Sequence, residues 1–120
     1  MDLHSPSSRL RLLVLPIALL LYMAPLQSPA AVRCDGTLSK PEALICGNQY
    51  LLTLDQELND AYAAALREIT DLAALREQQR TWLKTVRDAC GDSECLVGRI
   101  KNRIDALTLA KIAAQPRYCV

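Results

Sequence analysis

Four cysteines, Cys34, Cys46, Cys90 and Cys95, are the side chains here whose type and spacing could do chemistry. As thiolates they could converge on a tetrahedral zinc ion, but they lack the C-x2-C spacing of a zinc knuckle. Cys90 and Cys95 are also too widely spaced for a C-x-x-C redox motif. In a small exported chain the expected state is oxidised, as structural staples. Four clustered cysteines allow three pairings. Cys34–Cys46 with Cys90–Cys95 is favoured because both bridges close short loops, and the crossed pairings stay open. A fifth cysteine, Cys119, stands next to last and is the expected orphan.

Other reactive groups are scarce. The single histidine is His4, inside a segment expected to be removed, so no imidazole is left for a triad or a metal. Thr53 and Thr81 have no evident partner base. Glu57 and Asp60 stand three residues apart on one helix face, a spacing that could support acid–base work. With no cleft implied, an exposed pair of this kind is read as solvated. No glycine-rich phosphate loop can be found among four glycines. The expectation is a protein that is not an enzyme and needs no cofactor.

Export is read from residues 1–30. Arg9 and Arg11 precede an apolar run from Leu12 to Met23, and Ser28-Pro29-Ala30 supplies small residues for a signal peptidase. The run falls short of the roughly 20 residues of a comfortable membrane span. Cleavage is expected after Ala30, with Ala31 as second choice. Arg33 beside Cys34 argues against a lipidation site and hence against a stable membrane anchor. The expected location is periplasmic or secreted.

Residues 31–120 then form one domain with 12 basic and 12 acidic side chains. Such neutrality gives no strong pull toward nucleic acid or an anionic membrane. The charge is uneven, however. Asp35 to Tyr62 holds five acids against one base, and Arg76 to Arg103 holds seven bases against four acids.

The elements that must position these groups all read as helices. Ser39-Lys40-Pro41-Glu42 fits a capping box and opens a short helix to Cys46. Gly47 is expected to end it in a left-handed turn, and Asn48 to cap the next helix. Leu51, Leu54, Leu58, Ala61, Tyr62, Ala65 and Ile69 form one stripe on a helix over 49–69. Asp71 caps a third helix carrying Leu72, Leu75, Gln79, Trp82, Leu83, Val86 and Ala89. Gly91-Asp92-Ser93 turns into a fourth, with Leu96, Val97, Ile100, Ile104 and Leu107, ended by Gln115-Pro116. Short turns make neighbouring helices antiparallel. The fold class is therefore all-α: a small antiparallel three-helix bundle plus one short N-terminal helix, stapled by disulfides. Its core spans about residues 34–107, and a tail over 113–120 is expected to be mobile.

If helices two and three turn near residue 70, Tyr62 faces Gln79, Leu58 faces Leu83, and Asp55 faces Val86 and Arg87. The first pair could hydrogen bond, and Asp55 could form a partly shielded ion pair with Arg87. Trp82 is expected as a half-buried anchor. Asp88 opposes the dipole near a helix end, so it needs a partner, expected as a cap on the fourth helix.

The order Cys34, Glu42, Ile45-Cys46, Leu54-Asp55, Leu58, Tyr62, Gln79, Trp82-Leu83, Arg87-Asp88, Cys90, Cys95-Leu96, Arg103-Ile104, Leu107 resembles the LprI-type lysozyme inhibitors. The likeness covers nearly all of the expected mature chain. Ile100 departs from it, since an aromatic residue is expected there. The resemblance implies a small helical envelope protein with four structural cysteines, binding lysozyme or another protein partner. It supplies no inhibitory residue. Acidic groups would be steered toward a basic lysozyme. Asp92 and Glu94, on a turn that a disulfide could clamp, are the first candidates for partner binding, and Glu57 and Asp60 form a second patch. An interaction module with a different protein partner is the alternative.

Overall fold

In the computed structural model, residues 31–116 are described. The expected export signal and Cys119 lie outside these residues. So do the last four residues of the tail expected over 113–120. Four α-helices and one π-helical turn make up the fold, with no strand among the described residues.

Helix α1 covers Lys40–Cys46. Ser39 and Glu42 form the reciprocal capping box. The Ser39 N–H donates to Glu42 Oε2 at 2.8 Å, and the Glu42 N–H donates to Ser39 Oγ at 3.4 Å. Gly47 differs from expectation. It ends α1 with right-handed backbone, φ −84°, because its N–H reaches the Ala43 carbonyl in ordinary helical geometry at 2.9 Å. The left-handed glycine is Gly36, φ 80°, in the loop leading to α1.

Asn48 caps α2, Gln49–Glu68, by accepting the N–H groups of Tyr50 and Leu51. Leu51, Leu54, Leu58, Tyr62 and Ala65 of the apolar stripe are buried, whereas Ala61 and Ile69 are only half-buried. Asp71 caps α3, Leu72–Trp82, through the Ala74 N–H. Helix α4, Ser93–Ala114, is capped by Asp92, whose Oδ1 accepts the Cys95 N–H at 2.8 Å.

The third helix does not continue as a plain α-helix. From Leu83 to Arg87 it widens into a π turn. A π turn takes in an extra residue, so the register beyond Trp82 departs from simple 3.6-residue spacing. Ala89, expected on the apolar face, is exposed.

The core joins Ile45 of α1 to the α2 stripe, Leu75 of α3, and Leu96, Ile100 and Leu107 of α4. Helix α2 packs most intimately against α4. Fully burying a leucine contributes about 1.5–3 kcal/mol, so Leu51, Leu58, Leu96 and Leu107 are principal sources of stability. Ile100, where the resemblance led us to expect an aromatic side chain, is completely buried. Two disulfides, Cys34–Cys46 and Cys90–Cys95, complete the frame. No helix among the described residues is long and apolar enough to cross a membrane.

Candidate functional site

The turn between the third and fourth helices is held at both ends. Cys90 closes its first side and Cys95, in the first turn of α4, closes the other. Asp92 and Glu94 lie between them, both exposed. An open hollow of about 430 Å³ borders this corner, lined by Asp92, Glu94, Cys95, Gly98, Arg99 and Asn102. Asp92 has a structural duty here, because one of its oxygens is committed to the Cys95 amide. Glu94 is the less encumbered acid. It sits in the first turn of α4, where negative charge suits the helix dipole.

Glu57 and Asp60 are exposed on α2 and do not line that hollow. Asp60 Oδ1 accepts from Gln56 Nε2 at 3.0 Å. The Thr53 hydroxyl donates to the Gln49 carbonyl of its own helix, which occupies its proton. Since all four clustered cysteines are oxidised in pairs, they are not thiolate ligands. Among the described residues no group of three or more His, Cys, Asp or Glu is arranged to hold a metal.

Three interior expectations need correction. Tyr62 and Gln79 are both buried, yet they do not hydrogen bond to each other among the described residues. Gln79 Oε1 instead accepts from Arg103 Nε at 2.9 Å. Asp55 and Arg87 are both buried but not in direct contact. Arg87 Nε donates to Asp88 Oδ1 at 2.8 Å, and its Nη2 lies 4.0 Å from Glu42 Oε1. The π turn accounts for this, since it shifts Arg87 off the register that would have aimed it at Asp55. Asp88 therefore finds its partner in Arg87, while Asp92 caps α4.

Asp55 is the least accommodated charge. Its Oδ2 accepts the Val32 N–H at 2.9 Å and Asn59 Nδ2 at 3.3 Å, and its Oδ1 has no donor among the described residues. Burial pushes this carboxyl up from its ordinary value, opposed by the Val32 amide and by the more distant charge of Arg87.

A second open groove, about 550 Å³, runs along α3 and the π turn, past Thr81, Trp82, Thr85 and Val86 to Arg103. Trp82 is half-buried, with the Arg103 guanidinium 5.9 Å from its ring centroid. Burial lowers the Arg103 pKa and Tyr62 opposes the shift, but a guanidinium stays charged in a protein. Arg103 had no role in the reading from residue spacing, because its basic type suggested an exposed position.

The family model described as Lysozyme inhibitor LprI matches residues 34–115. The chain belongs to the LprI family. The match begins at Cys34 and takes in both disulfides, all four helices and the Gln79–Trp82–Arg103 cluster of this LprI domain. No curated protein matches the chain, and no solved structure matches it.

Proposed function

We propose that this protein is an exported, non-catalytic inhibitor that binds and blocks a lysozyme or a related cell-wall hydrolase. Membership of the LprI family is the observation that carries this reading. Two disulfides in a chain with a leader-like N-terminus support a periplasmic or secreted location.

Glu94 and Asp92 are the contact residues we propose first. The Cys90–Cys95 bridge restrains their turn before any partner arrives, and a pre-ordered loop gives up less entropy on binding. Their carboxylates complement a basic enzyme surface and would speed encounter at low salt. Glu57 and Asp60 serve as a second patch, separate from the hollow.

The test is residual lysozyme activity against the purified, oxidised protein at low ionic strength, paired with a pull-down on immobilised lysozyme. Inhibition that weakens with added salt is expected. Full lysozyme activity at micromolar protein, with no capture, would remove the proposal. A different protein partner would then be the reading to pursue, starting from the half-buried Trp82 groove.

A further inference from the structure

Asp55 is only 3% exposed, yet it lacks a charged partner in contact. Its one long-range ligand is the backbone N–H of Val32, 23 residues earlier in the chain. Val32 itself packs against the core, so this N-terminal segment is docked on the bundle. The cation whose charge acts on Asp55, Arg87, is engaged by Asp88 and approaches Glu42. Asn59 contributes a neutral amide. Oδ1 is left without a donor among the described residues. A carboxylate buried in this way carries a desolvation cost that neutral amides only partly offset.

The nitrogen that reaches Asp55 is adjacent to the expected cleavage points. Cutting after Ala31 would turn the Val32 nitrogen itself into an ammonium group, 2.9 Å from Oδ2. Cutting after Ala30 would put the ammonium on Ala31, one peptide unit away and within about 7 Å by covalent geometry. Peptide-bond hydrolysis releases the leader with a carboxylate and leaves the mature chain with an α-amine, which is protonated at neutral pH. Opposite charge within a few ångströms of a buried carboxylate favours its ionised form.

Given the export reading of residues 1–30, on which this rests, we infer that removal of the leader creates the missing charge partner of Asp55. The new N-terminal ammonium docks against the buried carboxylate and tightens the fold of the processed chain. Cleavage thus serves as a maturation step for the domain as well as a release from the export machinery. In the uncut chain the same carboxylate meets a neutral amide, and the bundle stays less stable.

The experiment compares the exported chain with a variant carrying Gly-Ser-Gly inserted between Ala30 and Ala31. Both proteins are made with and without Asp55→Asn. Intact mass and N-terminal sequencing first establish where each chain starts. Urea unfolding then gives the four stabilities. In the natural processed chain, Asp55→Asn is expected to lower the folding equilibrium constant by about tenfold or more, since it strands a buried charge. In the inserted chain the same substitution is expected to be neutral or stabilising, because it removes an uncompensated buried carboxylate. Equal effects in the two backgrounds would overturn the inference. The rate at which the natural α-amine reacts with an acylating reagent, followed against pH, provides a measurement on the unsubstituted protein. An amine pKa above the ordinary value of about 8 is expected, and an ordinary value would overturn the inference. A start site away from Ala31 and Val32 would overturn it by a separate route, through the export reading.

Discussion

Arg103 Nε donates to Gln79 Oε1 at 2.9 Å, joining α4 to α3 across 24 residues of sequence. The same guanidinium faces the Trp82 ring, so one cation ties together a buried amide and the half-buried indole. Gln79 Nε2 and Arg103 Nη2 find no acceptor among the described residues, which makes this cluster sensitive to any further loss.

Arg103→Leu should therefore cost about 2 kcal/mol, as the buried Gln79 carbonyl loses its donor. Arg103→Lys should recover only part of this, because an ammonium cannot present a planar fork to Gln79 and Trp82 together. Replacing both Gln79 and Arg103 by leucine should cost less than the sum of the single changes. Denaturant melts of the four proteins measure the coupling, and strict additivity would refute it.

The two disulfides should separate stability from binding. Cys34–Cys46 spans 12 residues and Cys90–Cys95 spans 5. On chain entropy alone, the wider bridge contributes about 3 kcal/mol and the tighter one about 2 kcal/mol. Paired serine substitutions at Cys34 and Cys46 should thus lower the melting temperature more. Paired substitutions at Cys90 and Cys95 should do more harm to lysozyme inhibition, because they unfasten the acidic turn. Inhibition lost in proportion to stability in both variants would argue against a special role for that turn.

Glu94 offers a cleaner test of the proposed contact than Asp92. Asp92→Ala should lose about 1 kcal/mol of stability from the α4 cap, confounding any binding defect. Glu94→Gln leaves the cap intact. Its melting temperature should stay within a degree or two while association with lysozyme slows, most visibly at low salt. Unchanged association kinetics would place the contact elsewhere.

Acid sensitivity should be traceable to Glu42. The Ser39 backbone amide holds its carboxyl below the usual carboxylate range, the Ser39 hydroxyl helps, and Arg87 adds a smaller pull. A carboxyl whose pKa is depressed by folding contributes stability above its unfolded pKa and loses it as pH falls through the folded value. Glu42→Gln should therefore be less stable than the parent at pH 7 and approach it in the acid limb. A gap that persists unchanged to low pH would point to packing, with no contribution from the charge.

Much of this frame could be read from residue types. Ser39, Asn48, Asp71 and Asp92 sit where caps are needed, and the α2 stripe has an unmistakable helical period. The interior polar pairing was not legible in the same way. The Tyr62–Gln79 and Asp55–Arg87 pairs rested on a uniform hairpin register, which the π turn at Leu83–Arg87 breaks. No residue in Leu-Lys-Thr-Val-Arg advertises a wide turn, since each is acceptable in an α-helix. Arg103 was opaque for another reason. A long basic side chain normally keeps its head in water, and only tertiary packing brings this one beside Gln79. For the acidic turn, spacing could suggest the clamp, but a contact with lysozyme is a property of two molecules.

The π turn also makes the domain intolerant of a single deletion. Removing one residue from Leu83–Arg87 would let the helix relax to ordinary pitch, and everything after it would swing by about 100° in phase. Cys90 would then come round on the wrong side for Cys95, and Arg87 would leave its two acids. A gap of one position, harmless in most exposed helices, would in this chain scramble the corner where the third helix hands over to the fourth.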